Sequence, residues 1–175
     1  MSKDFNIRGI AEVQIGLPGD GIAGADLTSF TEFKVTSGKI GGGKRQKKTI
    51  PSENNSNYLT VSEGKTPLTF GIDLYEVKGE DLPMLLGGTW DDIGKKYSDP
   101  IGDDEAIYLT VILITEAVNG KKAKITYPYM FVAGSYEGNL ANAELAAVNL
   151  DCEANTPVSA LGVKASPRTI EWIAA

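Results

Sequence analysis

The chain contains no histidine and a single cysteine, Cys152. Zinc, copper and haem sites lean on His and Cys, and serine or cysteine hydrolases use a His base, so composition alone excludes most metalloenzyme and triad chemistry. One cysteine forms no intrachain disulfide. Its place in "AAVNLDCEA", at an apolar-facing position of an alternating run, predicts a buried small hydrophobe rather than a nucleophile. Trp90 and Trp172 are the only two tryptophans, too few for the sugar platforms of a glycosidase cleft, and Trp90 reads as a core or interface anchor. No apolar run approaches the ~20 residues needed to span a bilayer. The stretch "MSKDFNIRG" lacks the basic-then-apolar order of a secretion signal, so the chain is expected to be made in the cytoplasm, with no membrane partner.

What is present is an acidic chain with one basic stretch. The 175 residues suit a single domain, taken as 1–175, and carry a net charge of −6. Lys39, Lys44, Arg45, Lys47 and Lys48 all fall in "SGKIGGGKRQKKTIPSENNSN", and setting those five aside leaves −11 on the rest. An acidic body repels nucleic acid and membrane surfaces, whereas a basic segment invites an acidic protein surface, such as the body of another copy. No aromatic residue is interleaved among these cations, which disfavours a nucleic-acid groove.

The same stretch contains Gly38-x-x-x-x-Gly43-Lys44 after a strand-like "TEFKVT", most of a phosphate-cradling loop. The motif needs Ser or Thr next, to hold Mg²⁺, and a helix whose N-terminus faces the phosphates. Arg45 stands there instead, and Pro51 followed by "SENNSN" stops any helix early. The residues therefore predict a long, mobile basic loop over 36–57 that orders on meeting a partner, and no cofactor. Asp91-Asp92 and Asp103-Asp104-Glu105 lack the alternating ligands and central Gly of a calcium loop, so they read as solvated turns and no metal is expected.

Elsewhere alternation dominates. "PLTFGIDLYEV" places Leu68, Phe70, Ile72 and Leu74 on one face, and "FNIRGIAEVQIGL" does the same with Ile7, Ala11, Val13 and Ile15. "AIYLTVILITEAV" is apolar on both faces, which asks for cover on each side. Asn119-Gly120 is the strongest hairpin signal, and Pro128 in the following run predicts an edge or a bulge. In "GEDLPMLLGG", Asp81 as cap, Pro83 in the first turn and Gly87-Gly88 as stop predict one short helix. "GNLANAELAAVNLDCEA" is read as a strand after a turn at Glu137-Gly138-Asn139, and "TIEWIAA" as a terminal strand. The expected fold is an all-β antiparallel sandwich or barrel with one short α-helix and a long basic loop.

Two stretches carry a resemblance: "PLTFGIDLYEVKGEDLPMLLGG", a strand into a short helix, and "KKAKITYPYMFVAGSYEGNLANAELAAVNLDCEAN", read as a strand, a short linker "FVAGSYEGN" and an Ala-rich strand. With the N-terminal strand and the long loop, this order resembles the major tail tube proteins of long-tailed bacteriophages. Tubes of contractile tails and of type VI secretion are similar. The resemblance implies a structural protein and not an enzyme. Hexameric rings, with strands of all subunits closing an inner barrel, would stack into a tube in the virion tail, and DNA would pass through without specific binding. Partners would be further copies and other tail proteins, with the long loop ordering against a neighbouring ring. A β-sandwich binding or adhesin module is the alternative.

Overall fold

The computed structural model describes residues 7–34, 37–102, 106–137 and 146–175, apart from the side chains of 55–58. Its elements in chain order are β1 Ile10–Gly16, β2 Leu27–Phe30, β3 Lys39–Gly41, β4 Arg45–Ser52, β5 Asn55–Lys65, β6 Leu68–Leu74, α1 Leu82–Leu86, β7 Thr89–Asp91, β8 Lys96–Ser98, β9 Ile107–Thr115, β10 Lys121–Glu137, β11 Ala147–Ala154 and β12 Thr169–Ala174. The all-β class with one short helix is as expected. An 8-stranded antiparallel sheet runs β2-β1-β9-β10-β11-β6-β3, with β12 pairing β10 beside this path. The chain leaving β2 at one edge passes onto the end of β6, the strand next to the other edge, where Phe33 pairs with Leu74. Lys34 donates its N–H to Asp73 O at 3.0 Å, and Tyr75 N–H donates to Glu32 O at 2.8 Å. The sheet thereby curls into a barrel.

The barrel is filled from every wall. Val13 and Ile15 of β1, Phe70, Ile72 and Leu74 of β6, Leu109, Val111 and Leu113 of β9, and Ile125, Tyr127, Met130 and Val132 of β10 share one core with Val148, Leu150 and Cys152 of β11. Each such side chain contributes about 1.5–3 kcal/mol relative to exposure. The Asn119-Gly120 turn is built as predicted, with φ of 52° and 74°, the two positive values that match the right-handed twist of a hairpin. Pro128 also falls as predicted, in a register shift between Tyr127 and Met130, where its carbonyl accepts the Thr110 hydroxyl at 2.8 Å. The second face of β9 is covered at its middle: Ile112 and Thr110 are buried, and Gly24, in the loop after β1, donates its N–H to Thr110 Oγ1 at 2.9 Å.

Four expectations are corrected. Ala11 is exposed, because a register shift between Ile10 and Glu12 changes the phase of β1 and lets Ile10 pack on the core instead. "FVAGSYE" is no linker but the far half of β10, paired with β11 from Met130 to Glu137. Gly134 within it serves close packing: a Cβ there would lie 2.4 Å from Leu85 O of α1. Asp81 occupies the N-cap position without a side-chain capping bond. Burial first, and Glu80 second, raise its carboxyl above the usual range. The fourth correction, of the basic loop, is taken up below. The turn at 137–139 beyond Glu137, the start of the Ala-rich run and Asp103-Asp104-Glu105 lie outside the described residues.

Cys152 is 1% exposed on β11, and burial, reinforced by Asp151, pushes its thiol from 9.0 to about 12. A thiol that ionises later when folded than when unfolded supports the fold fully below the unfolded pKa, and that support is lost as pH rises toward the folded value. Urea stability is therefore expected to fall between pH 9 and about 12, and to fall less steeply in Cys152→Ala. Equal slopes would show that the thiol ionises as readily in the barrel as outside it.

Candidate functional site

The basic segment is not a structureless loop. It contains β3, which adds to the body sheet beside β6, and then β4, which pairs with β5 in a separate hairpin. The hairpin turns at Glu53-Asn54, between the paired Ser52 and Asn55. Sequence alternation could not reveal it, since period two in apolar residues arises where one face is buried, and every residue of β4 is exposed. The strands pair only with each other, from Arg45 opposite Lys65 to Ser52 opposite Asn55. Ile50 and Leu59 lie directly across from one another, 40% and 47% exposed, so their cross-strand contact stays open to solvent.

The glycines that resembled a phosphate loop make the root of this hairpin. Gly42 has φ of 82°, and a Cβ there would lie 1.6 Å from Pro67 O; Gly43 has φ of 76° against Leu68. Only glycine gives the chain room to leave β3 and enter β4 so close to the returning strand. Gly43 N–H donates to Thr66 O at 3.0 Å, Thr66 N–H to Lys44 O at 2.8 Å, and Lys44 N–H to Thr66 Oγ1 at 3.0 Å. Lys44 is followed by a strand, so no helix N-terminus stands where a nucleotide's phosphates would need one.

The five predicted cations divide. Lys44, Arg45, Lys47 and Lys48 share the hairpin and its root, and all four are exposed. Lys39 stays on the body, where it lines an outer groove with Lys34, Asp73, Asn149 and Asp151. Sequence reasoning missed Lys65, which returns to the root opposite Arg45 and adds to the same charge. Within the hairpin only Lys48 has an acidic partner among the described residues, Glu63 at 3.4 Å. That bond is exposed and contributes little. Asp91 and Asp92 form the tip of the β7–β8 hairpin, with Asp91 accepting the Ile93 N–H at 3.0 Å and Asp92 pairing Lys95 at 2.6 Å, an arrangement of a solvated turn. Trp90 supports that small hairpin by lying against Gly79, where a Cβ would come within 2.4 Å of its ring.

A second exposed feature lies on the outer face of β9 and β10. Tyr108 stacks on Tyr129 at 4.6 Å, and Phe131, 37% exposed, meets Tyr108 edge-on at 5.9 Å. Among the described residues no group of three or more acidic or cysteine side chains is placed to hold a metal ion, and no helix is long and apolar enough to cross a membrane. Compared with protein-family models and with curated proteins, the chain matches none.

Proposed function

We propose that this protein is a structural, self-assembling subunit of a phage tail tube, made in the host cytoplasm and carried in the virion tail. Its copies form hexameric rings that stack, with other tail proteins, into a hollow tube through which DNA passes. The observation that carries the reading is the β4–β5 hairpin. A two-stranded hairpin is marginal alone in water, yet among the described residues this one pairs its strands only with each other and leaves its Ile50–Leu59 pair open to solvent. A neighbouring copy supplies the missing surface. Its cations suit an acidic body, which totals −11 once the five cations of the segment are set aside. An acidic wall also suits a conduit, because neutralised phosphates release counterions and would hold DNA in place.

Replacing Lys39, Lys44, Arg45, Lys47 and Lys48 together by Ser tests this role. All five are exposed, so subunit stability in urea is expected to change by less than about 1 kcal/mol, while tubes fail to grow. Wild-type tubes should shorten as salt rises above about 0.15 M, where the screening length falls below about 8 Å. Normal tubes from the variant would remove the basic segment from assembly. The partly exposed Tyr108 and Tyr129 with the exposed Phe131 favour a second reading, a β-sandwich binding or adhesin module, which predicts monomers that bind a ligand through those rings.

A further inference from the structure

We infer that the root of the hairpin is an oxyanion site in which Lys65 of the hairpin and Arg168 of the barrel take a carboxylate or phosphate group between them. A cleft of about 370 Å³ opens where the two parts meet. Gly43, Lys65 and Thr66 form one wall, and Thr156, Ser166 and Arg168 the other, with no acidic residue in its lining. A Cβ on Gly43 would lie 3.9 Å from Arg168 Nη2, which brings the guanidinium to the hairpin's base. Ser166 Oγ donates to Arg168 O at 2.8 Å and steadies the backbone that carries it.

Charge supplies the reason for a ligand. Lys65 is in direct register with Arg45, so two cations face each other across the strands with their side chains on the same side, an arrangement that is destabilising unless an anion joins it. Glu63, the acidic residue nearest in sequence, is taken by Lys48. Neither Arg45, Lys65 nor Arg168 has an ion pair among the described residues. Behind Arg168 the Tyr127 hydroxyl is buried and makes no hydrogen bond of good geometry among the described residues. Burial pushes its phenol up, and Arg168, close enough to act as its hydrogen-bond donor and positively charged, offsets part of that push. Arg168, itself partly exposed, reaches from that buried hydroxyl to the cleft with guanidinium N–H groups to spare, and a guanidinium fork matches a planar or tetrahedral oxyanion. Because one cationic wall belongs to the hairpin and the other to the barrel, an occupied site fixes the angle between them across the Gly42-Gly43 pivot. The site stands whether or not the protein builds tubes.

Titrating inorganic phosphate into the labelled full chain, with chloride at matched ionic strength as control, tests the site by amide spectroscopy. Saturable shifts are expected at Gly43, Lys65, Thr66, Ser166 and Arg168, together with reduced motion over 45–52, and chloride should not reproduce them. Arg168→Gln and, separately, Lys65→Gln should each weaken binding about tenfold, the loss of one charge-assisted pair. Lys65 is exposed, so its variant keeps the test decisive if the Arg168 change disturbs the barrel. If the same residues shift without phosphate as protein concentration rises, and phosphate then returns the sedimentation coefficient to that of the monomer, the natural ligand is a carboxylate of a second copy; if the shifts need phosphate at every concentration, it is a free anion. Shifts that grow linearly, match those with chloride or survive both substitutions overturn the proposal.

Discussion

Leu85→Ala is expected to lower the unfolding free energy by about 2–5 kcal/mol, the range for truncating a fully buried leucine. Leu85 is the one buried residue of α1, and it closes the barrel core beside β9 and β10. The helix is too short to stand on its own hydrogen bonds, so its seat depends on this side chain and on how closely its backbone approaches the sheet. Gly134 sets that approach. Gly134→Ala should cost about 1–3 kcal/mol by overpacking. Its new Cβ would lie 2.4 Å from Leu85 O and 2.7 Å from Leu86 Cδ2. The two changes act on one seat, so they should not add: once Leu85 is truncated the helix can shift away, and the double variant should lose less than the sum by at least about 0.5 kcal/mol. Urea unfolding of the four proteins measures this cycle. Strict additivity would mean that α1 does not press on β10 at Gly134.

Excising the hairpin should have the opposite profile, a small effect on the fold and a complete one on assembly. Residue 66 is joined to 43 and to 44 by one backbone hydrogen bond each at the root, so a short Gly-Ser link between Gly43 and Pro67 spans the gap without strain on β3 or β6. The removed strands lie outside the core, and the barrel should keep its stability within about 1 kcal/mol. Sedimentation velocity over a range of concentrations should then find no species larger than a single ring, under conditions in which the full chain polymerises. A destabilised barrel would show that the hairpin supports its own body, and undiminished polymers would assign stacking to another surface.

Much of the barrel was legible because its signals are local. Asn119-Gly120 needs positive φ at two successive positions, Pro128 removes a ladder donor, and the alternation through Leu68 to Leu74 reports one buried face; each leaves a mark within a few residues. What escaped depends on contacts made at a distance or on burial that never occurs. The seat of α1 on Gly134 joins residues far apart in the chain, and the phase of β1 turns on a bulge that no residue type announces. The candidate site was located by charge, which is readable, while its form was hidden, because a hairpin solvated on both faces has no apolar period. Lys65 was overlooked for the same reason: it joins Arg45 only through the pairing of β4 with β5.

Electron microscopy of the purified full chain, at rising concentration and low salt, tests most directly whether this barrel is an assembly subunit. Six-fold rings stacked into hollow tubes are the predicted result. Monodisperse monomers at every concentration would contradict it.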